Sequence, residues 1–423
     1  MRTRGSLQFA ILTTMGLGAC AGGDIDWAGT VTDSAGVTII QSPEQGIWTA
    51  NQSWGLEEEL RVGTAQGDPD YMFGAITGIT VGSDDRIFVL DQQASNIRVF
   101  DRNGTLERQF GTSGSGPGQF GPQVGPLLLG PGDTLYVPDL GNQRVNRYTT
   151  DGTMAGSFAI RLERGVPFKW EVTPSGTIVN QVRRIAFQPG QANDTLDVVA
   201  ARNNEGMPTD TLLLMPSGRT LNFGGNRPEV TFFSPEPAWT LAGERSVWYG
   251  ISDSYRIGLY EEGELTRVIT KAFELAPLTE RDQEVVMNAM RSLVEAAGAP
   301  PEAWQLLQQT VHFADRFPAY AQFLTGPNGS LWVQHLVIPS QLSDEELEDF
   351  NPQTGLGSSK WDVFDGRGRY LGSLDMPERY QPVRFLGDRI YGIWRDDLDV
   401  QYVMQLRITG LPGADTGVVP ITD

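Results

Sequence analysis

The sequence predicts an all-β fold of six short antiparallel sheets arranged around one axis, and three observations predict it. The first is composition: 50 glycines and 26 prolines in 423 residues, a glycine share well above the usual ~7% and the mark of many turns. The second is a repeat. Ile87-Phe88-Val89-Leu90-Asp91, Asn96-Ile97-Arg98-Val99-Phe100 and Gly104 recur 48 residues later as Leu135-Tyr136-Val137-Pro138-Asp139, Arg144-Val145-Asn146-Arg147-Tyr148 and Gly152. A period in the forties with short apolar strands between Gly, Asp and Asn turns marks one propeller blade per repeat. The third is the number of copies. Polar turns precede apolar strands starting at Ile87, Leu135, Ile178, Val247, Leu331 and Ile390. The fold class is therefore a six-bladed β-propeller, with a short helical insertion near residues 279–310.

The elements follow in chain order. Arg2 and Arg4 precede a short apolar stretch, Phe9 to Leu17, which is too short to span a bilayer. It ends in Leu17-Gly18-Ala19-Cys20, and Cys20 is the only cysteine of the chain. Residues 1–19 are read as a signal peptide and residues 20–32 as a flexible tether. The propeller is placed at 33–410 and a tail at 411–423. Asp33-Ser34-Ala35-Gly36 followed by Val37-Thr38-Ile39-Ile40 has the form of a blade's outermost strand after its turn. It is expected to pair with the C-terminal strand near Tyr402 to Ile408, so that the two ends of the chain share the sixth blade and leave no open sheet edge. The innermost strands are placed near Ile76–Val81, Pro126–Leu129, Trp170–Thr173, Trp239–Leu241, Ala321–Leu324 and Val383–Leu386.

The intervals between later repeats exceed one blade and must hold insertions. Thr279 with Asp282 three residues on forms an N-cap signal. Val286, Met290, Leu293 and Val294 then share one helical face, and Gly298 stops it. Pro300-Pro301 opens a second helix with Leu306 and Leu307. Ser343 with Glu346 caps a short acidic helix to Phe350.

Residues 119–158 resemble an NHL repeat: Gly118-Gln119-Phe120, then Leu135 to Asp139, then Gly141-Asn142-Gln143-Arg144-Val145, Tyr148 and Gly152. The whole layout is similar to a broad bacterial group of six-bladed β-propeller proteins. That resemblance implies a fold and an exported location, but no single activity. Leu17 to Cys20 resembles a bacterial lipobox, which implies lipidation of Cys20. Ala21 in place of an aspartate then favours the outer membrane, facing periplasm or cell surface.

Composition bounds the chemistry. The net charge is −20, which repels polyphosphates, and nucleic-acid binding is not expected. With Cys20 committed, neither a disulfide nor a thiol site is available to the fold. The two histidines, His312 and His335, have no short metal spacing. No catalytic residue, metal or cofactor is therefore assigned. Asp91 with Arg98 and Asp139 with Arg144 can hold turns together, or the arginines can grip an acidic ligand; repetition in two blades favours the turn. His335 occupies the strand-end position of Asp91 and Asp139 and is expected on a propeller face. Aromatic residues on or near inner strands suit a peptide or a sugar at a channel mouth, or else wedge between blades. The ligand-binding candidates are Arg98, Arg144, Trp170, Trp239, Tyr320, Trp332, His335, Arg384 and Trp394. The leading expectation is an exported, lipid-anchored binding or scaffolding module for a protein, peptide or glycan. The alternative comes from resemblance: calcium-dependent lactonases with this fold hold Ca2+ in the central channel. Glu171, however, is the only carboxylate on the expected inner strands.

Overall fold

The computed structural model describes residues 27–411, apart from 50–51, 186–192, 222, 225–226, 229 and 353–355. The leader, Cys20, most of the tether and the tail after Leu411 lie outside the described residues.

Six four-stranded antiparallel blades follow one another along the chain, the sheet of the fourth being extended at its edge by two further strands. The first comprises Ile76–Val81, Ile87–Asp91, Asn96–Phe100 and Leu106–Phe110, and the second runs from Leu128–Gly130 to Met154–Ala159. The third spans Val166–Val172 to Pro208–Leu221 and the fourth Pro237–Leu241 to Glu264–Lys271. The fifth holds Phe323–Thr325, Leu331–Leu336, Gly357–Phe364 and Tyr370–Asp375. The sixth has Tyr380–Leu386, Arg389–Arg395 and Gln401–Thr409. All six expected second strands begin within one residue of their predicted starts. This is the six-bladed propeller the repeats predict.

The ring has no single core. Apolar side chains fill six interfaces, one between each pair of neighbouring blades. Strand alternation explains this. Ile87 and Val89 pack towards the sixth blade, while Phe88 and Leu90 pack towards the second. A middle strand is buried on both faces, so it reads as a continuous apolar run rather than an alternating one.

Ring closure differs from the expectation. Val37–Ser42 pairs in parallel with Glu264–Lys271 of the fourth blade, and Thr30–Ser34 folds back on it as a hairpin. The strand that completes the sixth blade is Gly55–Val62, antiparallel to Gln401–Thr409. It was missed because Glu57, Glu58 and Glu59 make it look like a solvated loop. As an outermost strand it can carry those charges, and Arg407 meets Glu57 at 2.6 Å and Glu59 at 3.0 Å.

The helical insertion stands where predicted. The Glu280–Ala296 helix carries a capping box between Thr279 and Asp282, and Gly298 follows it at φ +64°. Val286 and Met290 pack with Phe232, Phe233 and Phe317 in a seventh apolar cluster. The Pro301–Thr310 helix and the Ser343-capped Asp344–Asp349 helix are also present.

Candidate functional site: a cleft between the fifth and sixth blades

The face bearing the starts of the inner strands also bears the turns from second to third strands. In the first two blades it is closed by buried carboxylates. Asp91 accepts from the backbone N–H groups of Gly74, Ala75 and Ala94 at 2.9–3.1 Å. Asp139 accepts from Gly121 N, Asn142 N and Asn142 Nδ2. Each carboxylate ties the loop entering its blade to a short turn and satisfies donors that burial would otherwise leave unpaired.

The fifth blade has no such clamp. Its second strand, Leu331–Leu336, carries His335 at the corresponding end, and the chain then makes a long excursion before returning at Gly357. Asp282 of the long helix braces that excursion by accepting from Ser340 N at 2.9 Å, which fixes it over the apolar cluster below. Between the excursion and the sixth blade lies a cavity of about 1050 Å³. His335, Ser358 and Lys360 line it from the fifth blade, and Arg379, Trp394 and Asp397 from the sixth.

The lining is polar and of mixed charge. Arg379 Nη1 is 2.9 Å from Asp397, and Arg395 is 2.9 Å from Asp399. Lys360 is exposed, and its ammonium has no partner among the described residues. The Trp394 ring is held upright: the Arg61 guanidinium lies 4.0 Å from its centroid, and Tyr402 packs against it at 5.3 Å. Glu346 is drawn down to a lower pKa by the Ser343 backbone and hydroxyl that it caps.

Behind His335 stands a buried polar hub. Asp362, on the third strand of the fifth blade, is fully buried. It accepts from Tyr255 Oη at 2.6 Å, Lys271 Nζ at 2.7 Å, Ser373 Oγ at 2.8 Å and Tyr370 Oη at 2.9 Å. His335 Nε2 lies 3.0 Å from Oδ1, the oxygen that Ser373 and Tyr370 also reach. Burial alone would push this carboxyl up. The contacts with His335 and Lys271 outweigh it and hold Asp362 well below the ordinary carboxylate range. Burial, and the Asp362 charge after it, raises Tyr255 and Tyr370. The hub joins the fourth and fifth blades through charge as well as packing.

The other sequence candidates are placed elsewhere. Arg98 is buried, donating to Met72 O at 2.7 Å, with Asp91 3.6 Å away and Phe73 under its guanidinium. Arg144 does not pair with Asp139; it donates to the carbonyls of Ser115, Gly116 and Gln119 and stitches the preceding loop. Trp170, Trp239, Tyr320 and Trp332 fill the second-to-third, third-to-fourth, fourth-to-fifth and fifth-to-sixth interfaces in turn. Trp239 Nε1 donates to Gln181 at 2.7 Å and Trp332 Nε1 to Ser330 at 3.1 Å. Arg384, on the inner strand of the sixth blade, donates to Thr80 Oγ1 at 3.0 Å, and burial lowers its pKa. Of the nine candidates, the structure brings His335 and Trp394 to the cleft. Lys360 and Asp362 were not singled out from sequence; each becomes legible only once strands far apart in the chain are side by side.

A channel calcium would need several hard oxygen ligands. Glu171 is engaged by Lys169 Nζ at 2.6 Å and Leu241 N at 2.8 Å. No group of three or more His, Cys, Asp or Glu able to hold a metal occurs among the described residues. No helix among them is long and apolar enough to cross a membrane.

Comparison with known proteins agrees on the fold. A family model described as a 6-bladed β-propeller matches residues 68–146. No curated protein matches the chain in sequence. Among solved structures, a Bacteroides fragilis protein described as exported is similar at 11% identity and a TM-score of 0.50, over 88% of this chain and 99% of its own. A DUF4221-family protein of Bacteroides vulgatus is 10% identical with a TM-score of 0.45, covering 84% of this chain and 98% of its own. Virginiamycin B lyase of Staphylococcus aureus is 13% identical with a TM-score of 0.42, covering 84% and 99%.

Proposed function

We propose that this propeller is an exported, lipid-anchored binding module, and that the cleft between its fifth and sixth blades takes an extended polar ligand, a peptide or a glycan. One observation carries the reading: a cavity of about 1050 Å³ opens at the blade where the strand-end carboxylate is replaced by His335 and a long excursion. A space of that size suits several residues or sugar units. Paired charges on its wall offer donors and acceptors in fixed positions, and a braced aromatic edge supplies apolar contact. Export and anchoring are supported by the leader ending in Leu17-Gly18-Ala19-Cys20.

The test is a binding screen of the chain from Ala21, which carries every strand of the ring, against peptide and glycan panels. Hits are followed by calorimetry on Trp394→Ala and Lys360→Glu. Each substitution should weaken a genuine cleft ligand about tenfold or more, the cost of a lost hot-spot contact, and the exposed Lys360→Glu should do so with the melting temperature near that of the parent. Unchanged affinity in both variants would place the ligand elsewhere on the molecule.

A further inference from the structure

We infer that a patch of arginines on the outer rim, between the fourth and fifth blades, docks the phosphate of an anionic phospholipid. The choice of occupant rests on the anchoring proposed above; the patch itself does not.

The patch surrounds another cavity, of about 380 Å³, which shares no lining residue with the cleft. Trp27, Val31 and Ile40 form its apolar side, and Arg267, Arg367 and Arg369 its charged side. Arg267 projects from the outermost strand of the fourth blade and spends one N–H on Gly366 O at 2.9 Å. Arg369 is paired with Asp365 at 2.8 Å. Arg367 is exposed and its guanidinium has no partner among the described residues. Three guanidinium groups thus face one carboxylate, in a chain that has 52 acidic and 32 basic residues.

The arrangement is held from beneath. Gly368 sits between Arg367 and Arg369 at φ +91°, and a Cβ there would stand 2.5 Å from Ile269 and 3.1 Å from Ile40. Only glycine lets this turn press onto the edge of the fourth blade and bring both arginines level with Arg267. The Trp27 ring packs on the interface between the two blades, its Nε1 is buried without a partner, and Val31 is 58% exposed.

A strip of carbon beside a cluster of guanidiniums matches a phospholipid, whose phosphate adjoins glycerol and acyl carbon. Guanidinium is the side chain best suited to bidentate phosphate contact. Position identifies the source of the phosphate. Trp27 lines the cavity and lies seven residues after Cys20, a span of at most about 25 Å when extended. A lipid on Cys20 keeps this rim within reach of the headgroups. The rest of the acidic surface is repelled by an anionic bilayer, so the patch would choose which side of the ring faces it.

The probe is dihexanoyl phosphatidylglycerol below its micellar concentration, titrated calorimetrically into the chain from Ala21. Saturable one-to-one binding is expected, weakened about tenfold by Arg367→Glu and again by Arg267→Glu, in line with loss of a charge-assisted contact. Arg367 has no side-chain partner to lose, so its variant should fold as the parent does. Absence of saturable binding, or binding indifferent to Arg367→Glu, would overturn the inference. So would inorganic phosphate binding as tightly with the same arginine dependence, because the site would then hold a free anion. Mass spectrometry of the native protein decides the anchor separately. An unmodified Cys20 with phosphatidylglycerol binding intact would remove the anchor and leave the patch standing.

Discussion

The first two blades and the fifth solve the same problem in opposite ways. In the first two, a carboxylate at the end of the second strand gathers backbone N–H groups from two loops, and the face above is shut. In the fifth, the carboxylate has moved to the third strand. Asp362 there gathers side chains instead of backbone: two tyrosines, a lysine, a serine and, beside them, His335. The first arrangement needs only its own blade and its entering loop. The second needs Tyr255 and Lys271 from the neighbouring blade, so it welds the interface and frees the strand end for a long excursion and a cleft. An internal repeat therefore tells where the protein is closed, and the break in the repeat tells where it is open.

The largest effect that would break this comparison is at the hub. Asp362→Asn leaves Lys271 buried without a counter-charge, and breaking a buried pair costs about 3–5 kcal/mol. Chemical denaturation should show that loss. The pH dependence follows from the sign of the shift. The folded pKa of Asp362 lies below its ordinary value of 3.8, so its stabilisation is complete above that value and is lost as pH falls through the folded pKa. The parent should lose stability below about pH 4 more steeply than Asp362→Asn does, and parallel acid curves would mean that the carboxylate is not paired as described. A middling effect is expected at Asp139→Ala. It strands the N–H groups of Gly121 and Asn142, a cost of about 1–3 kcal/mol, and should speed amide exchange at those two residues first. The smallest effect sharpens the comparison from the open side. Ser343→Ala removes the cap of the Asp344–Asp349 helix on the cleft wall, worth about 1 kcal/mol. Exchange should rise across that helix with the global melting temperature almost unchanged, because the excursion lies outside the interblade cores.

What could be read from the sequence follows from how each part is buried. Second-strand stretches such as Ile87–Leu90 and Leu331–Val333 are covered on both faces, so selection for core writes them as unbroken apolar runs. The capping box at Thr279 and Asp282 was equally legible, because its partners are three residues apart. The closing strand was not. Gly55–Val62 owes its place to the ladder with Gln401–Thr409, more than 300 positions away, and to Val62 in the core, and its alternation is masked by three consecutive glutamates. The aromatic residues were visible, but their direction was not. Trp170, Trp239 and Trp332 are buried between blades, whereas Trp394, at the edge of the same cluster as Trp332, also reaches the cleft, and no local pattern encodes that. Lys271, Tyr255 and Asp362 have no shared motif at all; only the pairing of two blades makes them neighbours.

The N-terminal segment laces two blades before it closes the ring in a third. It lies along the outer edge of the fourth, hydrogen-bonds from Ile47 and Trp48 to Tyr370 and Leu371 on the outer edge of the fifth, and becomes the outermost strand of the sixth. Traction applied from the N-terminal side must shear these attachments one after another before it can reach the seam. The segment thus acts as a strain relief: a pull on its start is taken up by these edge attachments before it reaches the wheel behind them.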